Sequence, residues 1–121
     1  MKHPDDLGTV LVTGGASGLG RAVAHAVDKA GGTPLVIDLH EPDSGYAHRI
    51  VDLADTRRAE AAVQDLVEEA GRLDGVVTAA AMDVPSDFAE IDGPTWDRIV
   101  MVNLLGTAAV VRAALSRAGS P

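Results

Sequence analysis

Thr13-Gly14-Gly15-Ala16-Ser17-Gly18-Leu19-Gly20 is the stretch that most restricts what this chain can fold into. It joins a β-branched, aliphatic run at Thr9 to Val12 to a segment that changes to helical period. Glycines at such a strand-to-helix turn serve geometry. They supply positive φ angles, and they let a phosphate approach backbone N–H groups at a helix N-terminus. Gly20 falls in the first helical turn, where a missing side chain lets helix and strand pack closely.

Three phosphate-loop or nucleophile motifs fail on particular residues. A P-loop needs Lys and Ser/Thr after its last glycine, and Arg21 and Ala22 stand there. The common G-x-G-x-x-G spacing does not occur. The nucleophile elbow G-x-S-x-G fails at Leu19.

The rest of the chain alternates strand and helix. Leu19, Ala22, Val23, Ala26, Val27 and Ala30 form one helical stripe, stopped by Gly31-Gly32. Thr33 to Leu39 reads as the second strand, continuously apolar at Leu35-Val36-Ile37, as both-face burial requires. Arg49 to Val51 is a short third strand. Asp55 to Ala70 is a helix with its stripe on Ala59, Ala62, Val63, Leu66, Val67 and Ala70; Asp55 or Thr56 caps it and Gly71 ends it. Gly75 to Ala80 is the fourth strand. Met82 to Pro94 is a loop, and a last helix capped by Thr95 runs to about Arg117. The expectation is an α/β, Rossmann-like three-layer fold, a parallel sheet in the order 3-2-1-4 with helices on both faces.

Size and composition bound the rest. The 121 residues fit one domain. Aromatics are 2% of the chain, so the core is aliphatic, and the absence of cysteine excludes disulfides and thiolate metal sites. The histidines His3, His25, His40 and His48 form no ligand-spaced pair, so no metal site is expected. A net charge of −8 repels nucleic acid and anionic lipid. No apolar run approaches the roughly 20 residues of a membrane span, and Met1 to Asp6 carries no signal-peptide pattern. A soluble, cytoplasmic protein without nucleic-acid or membrane partners is expected.

Thr13, Gly14, Gly18 and Gly20 spell T-G-x-x-x-G-x-G. This resembles the cofactor-binding signature of the short-chain dehydrogenase/reductase family, and the resemblance runs from Leu7 to about Leu115. It implies an oxidoreductase that binds a nicotinamide dinucleotide and acts on an alcohol or ketone. Asp38, eighteen residues after Gly20, stands where a Rossmann unit meets the adenosine ribose. Its charge repels a 2′-phosphate, and Leu39, His40 and Ser17 nearby are not basic, so NAD is expected rather than NADP. A solvated strand-end Asp is the plainer alternative. Asp52-Leu53 matches the family's adenine contact; the alternative is an acid favoured near the next helix N-terminus.

The resemblance weakens at Thr78-Ala79-Ala80-Ala81, where the family carries Asn-Asn-Ala-Gly. Ala79, Ala80 and Ala81 keep room beside the cofactor but lose the usual side-chain amide bonds of that turn. Asn103 matches the family's tetrad Asn; without partners a buried amide costs about 1–3 kcal/mol, and a satisfied core Asn that bends the helix is the alternative. The tetrad is incomplete. Tyr46 is the one tyrosine, followed four places on by Ile50, and the lysines are Lys2 and Lys29. Residues 1–121 therefore read as one NAD-binding domain, the front part of a longer enzyme and inactive alone. A non-catalytic nucleotide-binding or interaction module is the alternative reading. Two further expectations follow: homo-oligomers formed through the last helix, and an apolar fourth strand left as an unpaired edge.

Overall fold

The computed structural model describes residues 7–117. Four parallel strands pair in the order β3-β2-β1-β4, with β1 at Thr9–Thr13, β2 at Thr33–Asp38, β3 at Ala47–Ile50 and β4 at Gly75–Thr78. Every residue of β1 is buried because it is paired on both edges and covered on both faces. Leu11 turns to one face, where it packs with Leu35 and Ile37 under α2 (Thr56–Ala70) and the last helix. Val10 and Val12 turn to the other, against Val27 of α1 (Gly18–Lys29). Period-two alternation thus assigns each helix its side of the sheet. β4 is two residues shorter than its apolar run suggests, because the chain leaves the sheet after Thr78.

The α1 helix departs from its apolar stripe. Gly20, Ala24 and Val27 are its buried residues, while Leu19 is 74% exposed. A Cβ on Gly20 would stand 2.1 Å from the Gly14 carbonyl oxygen. That approach sets the helix rotation, and Ala24 and Val27 follow at i+4 and i+7. The α2 helix keeps its expected stripe except at Ala70, which is exposed. Asp55 caps it by accepting from Arg58 N at 3.2 Å, and Gly71 ends it in the left-handed region at φ +83°.

The last helix is continuous from Gly93 to Leu115 but not uniform. It comprises α3 (Gly93–Val100), a π-helical segment Met101–Gly106 and α4 (Thr107–Leu115). Its cap is Asp92, three residues before the expected Thr95; Asp92 Oδ1 accepts from Thr95 N at 2.8 Å. Contrary to the sequence expectation, this helix is long and apolar enough to cross a membrane by length and composition, with a mean hydropathy of 1.6 over its most apolar window. Its two arginines are tied to acids of the chain, Arg98 to Asp52 and Arg112 to Glu60. Its inner face, with Val110 fully buried, completes the core over α2.

Leu66→Ala empties a fully buried site between α2 and the sheet. Denaturant unfolding should show a loss of about 2–5 kcal/mol, whereas Leu19→Ala should stay within about 0.5 kcal/mol. Equal losses would contradict the helix rotation described.

Candidate functional site

At the carboxyl end of β1 the chain turns on Gly14, at φ +73°, whose N–H donates to Ile37 O at 2.8 Å. A Cβ there would meet Ala80 Cα and N at 2.9 Å. Ser17 is the N-cap of α1 and makes no side-chain capping bond. The N–H groups of the first helical turn have no preceding carbonyl to bind. Gly18, at φ +56°, has no heavy atom within 4 Å of where a Cβ would be. The turn is therefore closed on its protein side, at Gly14 and Gly20, and open on the other, at Gly18.

A cavity of about 520 Å³ lies against this open side. Gly14, Ser17, Gly18, Leu19 and Gly20 form one wall. Asp38 and Leu39 reach it from the end of β2, and Asp52 and Leu53 from the end of β3. Ala79, Ala80 and Ala81 reach it from the end of β4. The twelve cofactor-site residues expected from sequence thus border one space. Asn103 does not border it. Sequence reasoning missed Arg98 and Val102, which enter from the last helix, and assigned no site role to His40, Met82 or Asp83, which also line the cavity. Nothing local in the sequence relates Arg98 to a loop so far back in the chain.

Both Asp38 oxygens accept backbone N–H bonds, Oδ2 from Ala16 at 2.9 Å and Oδ1 from His40 at 2.9 Å. A carboxylate has about four acceptor directions, so capacity remains toward the cavity. Asp52 Oδ1 accepts from Ala54 N at 3.0 Å, and Oδ2 pairs with Arg98 Nη2 at 3.0 Å. The Ala54 N–H holds the Asp52 carboxyl below its ordinary value, and Arg98 adds to this against the opposing effect of burial. The Arg21 guanidinium is turned to Asp43, at 2.6 Å. No three His, Asp or Glu side chains among the described residues are gathered to hold a metal ion.

The turn after β4, which lacks side-chain amides, is held by bonds from other elements. Thr13 Oγ1 accepts from Ala79 N and Ala80 N, both at 3.1 Å. Asn103 closes a two-way pair with the Met82 backbone: Oδ1 accepts from N at 2.7 Å and Nδ2 donates to O at 2.8 Å. The half-buried amide is satisfied on both sides, so it fixes Met82, a lining residue, from outside the cavity. Thr13→Val keeps the volume and removes the acceptor. Stability should fall by about 1–3 kcal/mol, with faster hydrogen exchange at Ala80, and Thr13→Ser should restore most of it. A Val variant as stable as the native chain would contradict this reading.

Comparison with known proteins agrees with this architecture. Residues 8–119 match the short chain dehydrogenase family. A short-chain dehydrogenase/reductase of Pyricularia oryzae is 32% identical over 123 residues, covering 86% of this chain and 45% of that protein. A 3β-hydroxysteroid dehydrogenase of Eggerthella lenta is 31% identical over 126 residues, covering 90% of this chain and 48% of that protein. The ligand-free aldohexose dehydrogenase of Thermoplasma acidophilum superposes with a TM-score of 0.88 at 26% identity, over 93% of this chain and 46% of that one. This chain spans about half the length of these relatives. With the glycine turn, the strand order and the matched span in agreement, the chain belongs to the short-chain dehydrogenase/reductase family.

Proposed function

We propose that the cavity holds a nicotinamide dinucleotide, NAD(H) in preference to NADP(H), as the cofactor site of an oxidoreductase for an alcohol or ketone. A bound nicotinamide dinucleotide supplies the hydride donor or acceptor. The chain's own contribution is to bind and orient it. The observation that carries the reading is the open side of the turn at Gly18, directly beside the first-turn N–H groups of α1. Linked phosphates fit such a place because the helix end is electropositive and no side chain intervenes. The cavity volume suits a ligand of that class.

Asp38 supports the choice of NAD. Its remaining acceptor directions suit ribose hydroxyls, while a 2′-phosphate would meet a carboxylate. Arg21, the first basic residue after the turn, is engaged by Asp43 and does not offset that charge. Asn103 acts in this reading by position, holding Met82 and with it the wall beside the nicotinamide end. The sequence contains no Tyr-x-x-x-Lys. Residues 1–121 thus form one cofactor-binding unit, and by themselves they bind without turning over substrate.

Calorimetric titration of the full chain tests this. NADH should bind at least about tenfold more tightly than NADPH, a difference of ~1.4 kcal/mol. Asp38→Asn, which keeps size and an acceptor, should bring the two affinities together. Comparable affinities in the native chain would contradict the role given to Asp38.

A further inference from the structure

Three carboxylates and one guanidinium line the cavity, so with His40 neutral its wall carries two negative charges in excess. On charge alone such a wall disfavours a diphosphate, so each carboxylate calls for a reason. Two of the three are engaged by the fold. Asp38 accepts from Ala16 N and His40 N, and Asp52 is held by Ala54 N and Arg98. Asp83 differs: among the described residues it has no hydrogen-bond or ion-pair partner. It is exposed, in the chain that leaves β4, and the fold gains nothing from its charge. Its neighbour Met82 is held through both backbone groups by Asn103, which anchors this stretch beside the cavity.

The strand order says which part of a dinucleotide lies on the Asp83 side. Asp38 ends β2, to one side of the glycine turn; Asp83 follows β4, to the other. With the diphosphate at the turn and the adenosine ribose at Asp38, the nicotinamide half extends toward the chain after β4. That half contains the one group whose charge depends on redox state. The ring is a positive pyridinium in NAD⁺ and a neutral dihydropyridine in NADH. The phosphates and the adenosine are the same in both.

We propose that Asp83 is a redox-state specificity residue: its unpaired carboxylate, on the nicotinamide side of the turn, favours the positive ring of NAD⁺ over the neutral ring of NADH. This rests on the dinucleotide reading above. It biases the site toward the oxidised cofactor, the form that accepts hydride from an alcohol. Because Asp83 is open to water, the effect is modest. Opposite unit charges at close approach in water gain about fivefold in affinity, and less with distance or added salt.

A ratio of affinities tests this. The full chain, Asp83→Asn and Asp83→Glu are titrated calorimetrically with NAD⁺, NADH and ADP-ribose, with thermal unfolding of each protein alongside. Asp83→Asn should weaken NAD⁺ by about threefold relative to NADH, while Asp83→Glu, which keeps the charge, should hold the native ratio. ADP-ribose has the phosphates without the ring, so its affinity should move with that of NADH and not with that of NAD⁺. Equal changes for all three ligands would show only general repulsion of phosphate and overturn the role of Asp83. So would an unchanged ratio in Asp83→Asn with NADH binding intact. Failure of the native chain to bind both NADH and ADP-ribose overturns the dinucleotide reading itself. Salt supplies a second measurement that needs no variant. It should lower the native preference for NAD⁺ relative to NADH, and a ratio insensitive to salt contradicts the charge contact.

Discussion

Around the carboxyl end of β1, three stretches of backbone meet with no space for side chains between them. A Cβ on Gly20 would lie 2.1 Å from the Gly14 oxygen, and one on Gly14 would lie 2.9 Å from the Ala80 backbone. Neither obstacle is a flexible side chain, so neither can yield. The contact of Gly20 with the turn fixes how α1 is rotated, which turns Ala24 and Val27 inward and Leu19 outward. The contact of Gly14 with Ala80 brings the end of β4 beside the end of β1, and the Thr13 hydroxyl holds it there. Close packing on one side and open space at Gly18 on the other have the same origin, a turn built from residues without Cβ atoms.

The second half of the cavity depends on a similar contact farther along. Gly106 lies against Leu53, where a Cβ would stand 2.6 Å from the carbonyl oxygen. This lets the last helix settle onto the chain that follows β3, and it falls at the end of the π-helical segment. Val102 and Arg98 then border the cavity, while Asn103 reaches the Met82 backbone. One helix thereby ties down both the turn after β3 and the turn after β4.

Much of this could be read from residue patterns. Uninterrupted apolar runs gave the buried strands, their alternation with helices gave the order 3-2-1-4, the end of β2 picked out Asp38, and the family resemblance picked out Asp52; both border the cavity. The failures share a cause: local pattern was outweighed by a distant contact. Leu19 belongs to an apolar stripe, but Gly20 decides which face of the helix turns in. Ala79 to Ala81 carry no amides, but Thr13 and Asn103 supply hydrogen bonds from other elements. The pairing of Arg98 with Asp52 joins a helix to a loop with no periodic relation between them. The cap at Asp92 rather than Thr95 is the exception, a local misreading, since Asp followed by Gly and Pro is itself a helix start.

The proposed cofactor site rests on the chain's own geometry, with the open side of the turn at Gly18 as the place proposed for the phosphates. The most direct measurement follows backbone amide resonances of the ¹⁵N-labelled chain while ADP-ribose is added. The largest shifts should fall on Gly18, Leu19 and Gly20, with smaller ones at the ends of β2 and β4. Saturable binding that leaves those three amides unmoved would contradict the assignment of the turn as the phosphate site.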